Sequence, residues 1–243
     1  MELVVMSNRI AIMQPHFFPY LGYFSLIENT DFFIFFDTPQ FKNKGWMNRV
    51  KILNQHGEST YITVPIMNHK RDTCINEITI SNNTNWKDSV YGKLSVYRRK
   101  APHYEKVLGI VEETFDNCEG NMISDLDIES IKAVCNYLKM DFKYQKYSKM
   151  SIEIEEVNNP DEWALNICKA LGIKEYVNLP GGQKFFDRNK YFDNGVSLEF
   201  IQNNLKPYVQ KTGIFCPGLS ILDALMFCEI EQVLLMVEDY KIF

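Results

Sequence analysis

Two short apolar blocks stand near the start of the chain, Ile10-Ala11-Ile12-Met13 and Phe32 to Phe36, and between them lie Gln14-Pro15-His16, an aromatic-rich stretch to Phe24 and a polar break before Asp31. Blocks of this length without alternation are those of strands buried on both faces. The pattern predicts a strand, a turn, a short helix and a second strand, a βαβ unit whose first turn is a common place for α/β proteins to hold a ligand. Lys51 to Leu53 and Tyr61 to Ile66, parted by a polar turn containing Gly57, predict a hairpin. Ile75 to Ile80 predicts a short strand on its β-branched content, and Trp86 to Arg99 and Tyr104 to Phe115 predict helices parted by Ala101-Pro102.

Further on, Ile128, Ile131, Val134, Cys135 and Leu138 recur at helical spacing behind Asp127, which is placed to cap that helix. Another helix is predicted from Asn159-Pro160, with Glu162 completing a capping-box pattern and Gly172 ending it. Tyr176 to Leu179 predicts a short strand broken by Pro180-Gly181-Gly182, and Ser220 to Tyr240 predicts two apolar helical segments. The fold class expected is α/β, a single domain over 1–243 with a small helical subdomain near 86–140. No internal repeat or flexible linker divides it.

Composition narrows the function classes. With 46 % hydrophobic and 14 % aromatic residues the chain can bury a large core. The formal net charge of −5 offers a polyanion no bulk attraction, so DNA is not expected as a partner. Six cysteines stand far apart with no C-x-x-C pair, so the sequence predicts reduced thiols, with neither a zinc site nor a disulfide framework. Residues 1–8 lack the basic region and long apolar core of a signal peptide, and no apolar run approaches the roughly 20 residues that span a bilayer, so a cytoplasmic location without a membrane span is expected.

Candidate chemistry gathers after the predicted strands. His16, in the first turn, is placed either to donate a hydrogen bond to a phosphate at a helix start or to be satisfied by backbone. Gln14 offers a donor and an acceptor beside it. The second strand runs into Asp37-Thr38-Pro39-Gln40-Phe41-Lys42-Asn43-Lys44-Gly45-Trp46-Met47-Asn48-Arg49. Lys42, Lys44 and Arg49 suit a phosphorylated ligand and the Trp46 indole gives a face for a base or sugar, although Lys-Asn-Lys-Gly is also the composition of a solvated turn. Asp37 is placed to bind a sugar hydroxyl or an amine, or to orient a cation. Gly181 and Gly182, followed by Gln183, let a ligand approach bare backbone. Asp223, one turn into a helix capped by Ser220, either faces a site or favours the helix N-terminus. Asp187, Asp193 and Tyr191 read as surface groups, and no His, Cys or carboxylate set has metal-ligand spacing, so no tightly bound metal is expected.

Several of these motifs, in this order along nearly the whole chain, resemble the WbqC-like family found with bacterial surface-polysaccharide biosynthesis. They are Met13-Gln14-Pro15, Tyr20-Leu21-Gly22-Tyr23-Phe24, the strand ending at Asp37 with Gln40, Gly45-Trp46-x-Asn48-Arg49, Tyr97 with Lys100-Ala101-Pro102, Pro180-Gly181-Gly182 and Leu219-Ser220-Ile221-Leu222-Asp223. The resemblance implies work on a sugar nucleotide or glycan precursor, and a glycine-transferase label is attached to some such proteins. It adds Tyr20, Tyr23, Gln40 and Asn48 to the candidate substrate-binding residues.

A fainter likeness joins His16-x-x-Pro19-x-x-Gly22-Tyr23 to the His-x-Gly-His turn of the nucleotidyl-transferase superfamily, which implies a Rossmann-like core and ATP with magnesium. Tyr23 stands where that superfamily has its second His. The expectation is transfer or ligation of an aminoacyl group, glycine by that label, to the amino group of a nucleotide-linked aminosugar in O-antigen biosynthesis. His16 and Asp37 are then the expected catalytic pair. The acyl donor stays open between an adenylate, an aminoacyl-tRNA and a thioester, with tRNA disfavoured by the acidic balance. The alternative is a non-catalytic sugar-nucleotide or glycan-precursor binding protein. Glycosyl transfer ranks last.

Overall fold

The computed structural model of the chain describes residues 8–211 and 213–243. The stretch read for a leader, 1–7, lies outside the described residues. In chain order the main elements are β1 (Arg9–Met13), α1 (Leu21–Glu28), β2 (Phe32–Phe35), β3 (Arg49–Leu53), β4 (Ser59–Thr63), α2 (Trp86–Leu94), α3 (Tyr104–Asn117), α4 (Ile123–Leu138), β5 (Tyr144–Lys146), α5 (Glu162–Leu171), β6 (Glu175–Asn178), α6 (Arg188–Asp193), β7 (Ser197–Asn203), α7 (Ile221–Phe227), α8 (Ile230–Glu238) and β8 (Tyr240–Ile242).

Six strands form one sheet in the order β5-β2-β1-β6-β7-β8, and β3 and β4 form a separate hairpin. The first five strands of that order are parallel, while β8 closes the edge antiparallel to β7. Numbered as the strands enter the sheet this is 3-2-1-4-5-6, the order of a Rossmann-like doubly wound α/β fold.

Alternation decides which face each strand residue serves. Ile10, Ile12, Ile34, Tyr176 and Phe200 point into a core completed by α5 and the buried Tyr191 of α6. Ala11, Phe33, Phe35, Val177 and Ile201 point the other way, into a larger core shared with α1, α7, α8, the hairpin and helices α2 to α4. Helices therefore cover both faces of the sheet.

Several elements depart from the sequence pattern. Ile75–Glu77 is a 3₁₀ turn and not the start of a strand, with only isolated bridges at Ile80 and Thr79. α4 starts at Ile123, so Asp127 sits inside the helix and not at its cap. Tyr191 is fully buried, its hydroxyl donating to the Asp161 carbonyl at 2.7 Å, and Asp187 caps α6. α5 stops where expected, at Gly172 with φ +69°, a left-handed position that glycine tolerates. Among the described residues no helix is long and apolar enough to cross a membrane.

Candidate functional site

The strand order reverses at β1: β2 and β5 lie on one side, β6 and β7 on the other. Ligands of open α/β sheets bind outside the carboxyl ends of the strands at this reversal, because the connections diverge there and leave a crevice. Gln14-Pro15-His16 leave the carboxyl end of β1 and Leu179-Pro180-Gly181-Gly182-Gln183 leave that of β6. The latter stretch winds into a 3₁₀ helix over Pro180–Phe185. A Cβ on Gly182 would stand 3.0 Å from the Phe186 ring, whereas one on Gly181 would meet nothing within 4 Å. Gly182 is therefore a packing requirement and Gly181 an open stretch of backbone.

The β1–α1 turn is held from three directions. Phe17 N–H donates to the Trp46 carbonyl at 3.3 Å, which brings the segment before β3 against His16. Phe18 N–H donates to Ser130 Oγ of α4 at 2.9 Å, and Ser220 Oγ, at the start of α7, donates to the Phe18 carbonyl at 2.8 Å. Phe18 is buried with φ +40°, a left-handed conformation that a bulky residue adopts at a cost on the order of 1–3 kcal/mol. Two serines from distant helices hold the peptides on either side of Phe18, so the residue two positions after His16 is locked in a strained state. Gly22 lies beneath the Tyr20 ring, and a Cβ there would stand 2.5 Å from it, so a larger residue would have to displace that ring.

His16 is half-buried with its ring 5.3 Å from that of Tyr23, and neither ring nitrogen has a hydrogen-bond partner among the described residues. Of its two readings, satisfaction by backbone is not what the turn provides. Burial pushes the imidazole down to about 4, so near neutral pH the ring is uncharged, with one N–H to give and one lone pair to receive. The Tyr23 hydroxyl donates to the Gln14 carbonyl at 2.8 Å, while the Gln14 side-chain amide is unpartnered among the described residues.

Asp37, at the carboxyl end of β2, is 0 % exposed. Its Oδ1 accepts from Ser148 N–H at 2.9 Å and its Oδ2 from Ser148 Oγ at 2.6 Å. The carboxylate thus ties β2 to the turn after β5 at the same edge of the sheet as His16.

Beyond β2, Trp46, Arg49, Lys51 and Tyr61 form a ladder. Lys51 and Tyr61 are direct partners across the hairpin, and Arg49 lies two residues from Lys51, on the same face. The Arg49 guanidinium lies 4.5 Å from the Tyr61 ring centroid and 5.8 Å from that of Trp46, and Lys51 Nζ lies 5.8 and 5.5 Å from the same rings. Arg49 also donates to the Gly45 carbonyl at 3.1 Å and to that of Lys44. Lys42 and Lys44 are exposed in the adjoining turn.

Other sequence candidates serve the scaffold. Gln40 donates to the Arg71 carbonyl, and Asn48 donates to the Val64 carbonyl at 3.0 Å, extending the hairpin. Asp223 is completely buried and accepts from Tyr97 and Tyr208 hydroxyls at 2.7 and 2.6 Å and from Gln210 Nε2 at 2.8 Å. Burial raises its carboxyl above the ordinary value and the three donors oppose that rise. The Tyr97 hydroxyl in turn accepts from Leu53 N–H, so Asp223 joins α7, the end of β3 and the 208–216 segment.

The sequence reading missed Asp127. It lies three residues before Ser130, hence on the same face of α4, and that face meets the β1–α1 turn. It is 0 % exposed and neither carboxyl oxygen has a partner. Burial and the nearby Asp125 push it well above the usual carboxylate range, and it helps raise the Tyr23 hydroxyl. A charged type inside the stripe of Ile123, Leu126, Ile131 and Val134 is the signal that marked it. Ser148, Lys51 and Tyr61 carried no comparable local signal. Among the described residues, no three His, Cys, Asp or Glu side chains gather as a metal site.

The model of the WbqC-like protein family matches residues 14–234. This match takes in the β1–α1 turn, the hairpin and the β6 turn. An uncharacterized protein of Mycobacterium tuberculosis strain H37Rv, Rv1507c, is 26 % identical over 219 residues, covering 90 % of this chain and 93 % of its own. No solved structure matches the chain.

Proposed function

The chain belongs to the WbqC-like protein family, and on that premise we propose that it moves an aminoacyl group, glycine in the simplest case, onto the amino group of a nucleotide-linked aminosugar during surface-polysaccharide (O-antigen) biosynthesis. The observation that carries the reading is the unpartnered His16 in a locked turn at the reversal of strand order, flanked by Gln14, the Gly181 backbone and the Trp46–Arg49 face. Arg49 and the neighbouring lysines suit the diphosphate, Trp46 suits the base or sugar, and Gln14 suits a polar group of either substrate.

Amide formation needs a neutral amine and an activated acyl carbon. A neutral His16 is able to accept the proton that the amine sheds, and an anion bound beside it raises its basicity toward the working range. Asp37, held at both oxygens by Ser148, acts in this scheme as a positioning group for the β2 end of the crevice. Where the acyl donor is an adenylate, ATP with magnesium supplies the activation, and Lys42, Lys44 and Arg49 are the groups suited to its phosphates.

A second reading, binding of a sugar nucleotide without catalysis, is favoured by one observation: neither His16 nor Asp37 has a hydrogen-bonded nucleophile or acid beside it beyond Ser148. Thermal stabilisation of wild type and His16→Ala by uridine- and thymidine-diphosphate aminosugars, glycine, and ATP with magnesium, combined with mass-spectrometric detection of the aminoacylated sugar, separates the two. Product formed by wild type and lost in His16→Ala supports transfer. Stabilisation by sugar nucleotide with no product from any donor, and unchanged in His16→Ala, overturns it in favour of binding.

A further inference from the structure

The net charge of −5 conceals a division. Residues 40–100 hold eleven Lys and Arg against four Asp and Glu, a balance of +7, which leaves 15 against 27, or −12, for the rest. The division persists in three dimensions. Arg9, Lys132, Lys143, Lys146, Lys169, Lys190 and Lys206, all outside that segment, form ion pairs with carboxylates. Among the described residues none of the eleven cations within it does.

Two of these cations, Arg49 and Lys51, lie against a pair of rings, the exposed Trp46 and the half-buried Tyr61. Trp46 is 44 % exposed and its ring centroid is 6.3 Å from that of Tyr61. Arg49 and Lys51 lie on both rings, Lys93 Nζ donates to the Tyr61 carbonyl at 2.5 Å, and Lys42 and Lys44 stand in the turn before them. Farther along, Arg98 and Arg99 are exposed next to Tyr97, whose hydroxyl holds the end of β3. Arg49, Lys51 and Lys93 gather at the Trp46–Tyr61 pair and Lys42 and Lys44 stand in the adjoining turn, more positive charge than one diphosphate needs. Aromatic faces set among unpaired cations form the platform on which single-stranded nucleic acid stacks its bases and lays its phosphates.

We propose that the exposed face of the β3–β4 hairpin docks the single-stranded end of an RNA. One end of the platform, at Trp46, is hydrogen-bonded to the turn that carries His16, so a terminal ribose on this track reaches the crevice. The docking stands on charge and geometry alone. Its use in transfer rests on the aminoacyl reading above: the donor is then an aminoacyl ester of the RNA terminus. The sugar amine forms the new C–N bond as the ester C–O bond breaks, and the proton shed by the amine ends on the departing ribose hydroxyl. No further activating reagent is required.

The test is fluorescence anisotropy with a labelled single-stranded RNA of about twelve nucleotides, read between about 50 and 200 mM salt, against a duplex of the same sequence, a uridine-diphosphate sugar and phosphatidylglycerol vesicles. The expected result is preferential binding of the single strand. Its log Kd against log salt slope should flatten by about 1.4 in Arg49→Gln/Lys51→Gln, or about 0.7 per cation removed. Affinity should fall about tenfold in Trp46→Ala. Lys42→Gln/Lys44→Gln, exposed side chains without partners, is the second charge variant and should flatten the slope comparably with an unaltered melting temperature.

Absence of RNA binding while the sugar nucleotide binds overturns the docking and leaves the aminoacyl reading standing. Vesicle binding without RNA binding, or equal affinity for duplex and single strand with no effect of Trp46→Ala, also overturns it. RNA binding with no transfer from an aminoacylated RNA supports the docking and removes its link to transfer.

Discussion

At the scale of single residues, a half-buried and a fully buried group in and beside one turn respond to pH in opposite directions. His16 is depressed to about 4 from an ordinary 6.5, so its unfolded form takes up a proton first as the medium is acidified. Its contribution to stability is complete above pH 6.5 and lost as pH falls toward 4, about 3 kcal/mol in all. His16→Asn should flatten the fall of the urea midpoint over that window. Asp127 is raised, so the folded state holds its proton longer, and stability declines as pH climbs above the ordinary carboxylate value. Asp127→Asn should remove that decline and stabilise the protein by about 1–3 kcal/mol at alkaline pH. A midpoint that falls with pH as in wild type would show that Asp127 is ionised and paired. Gly22→Ala forces the Tyr20 ring, 2.5 Å from the new methyl, out of place. The expected cost is about 1–3 kcal/mol by denaturant unfolding.

At the scale of elements, α4 and α7 act on the site through one hydroxyl each. Ser220 caps α7 by accepting from Leu222 N–H at 3.2 Å and donates to the Phe18 carbonyl, so Ser220→Ala removes a cap and a clamp together. About 1–3 kcal/mol should be lost. Ser130→Ala frees the other side of the same residue, and because the two serines both hold Phe18 the double variant should deviate from additivity by at least about 0.5 kcal/mol. Additive losses would mean that Phe18 keeps its left-handed conformation without them. The hairpin was legible from its two runs and polar turn, but not the make-up of its face, because the register that pairs Lys51 with Tyr61 is fixed only in the folded sheet.

At the scale of the whole molecule, β1, α1 and β2 were legible because a buried parallel strand has nothing but apolar residues to show. The outer strands were not. β5 is only Tyr144–Lys146, half-buried and polar in sequence, and β8 is three residues at the chain end. The site divides in the same way. Gln14, His16, Trp46 and Arg49 lie in local motifs, whereas Ser130 and Ser220 hold Phe18 and Ser148 holds Asp37 from across the chain, and pairings at such separation leave no periodicity to read. β8 protects the edge of β7 through antiparallel pairing over Ile201–Asn203. Deleting residues 240–243 should expose that edge and drive self-association, visible as a rise in mass by light scattering.

The reversal of strand order at β1 also has a consequence in time. β1 is made well before its partner on one side, β6, which is paired from Glu175 onward. At the pace of translation roughly ten to thirty seconds pass between the two. Within that interval the basic hairpin and helices α2 to α4 are completed, while the crevice beside His16 still lacks one wall. A nascent chain is thus able to present the hairpin face well before it can enclose a substrate.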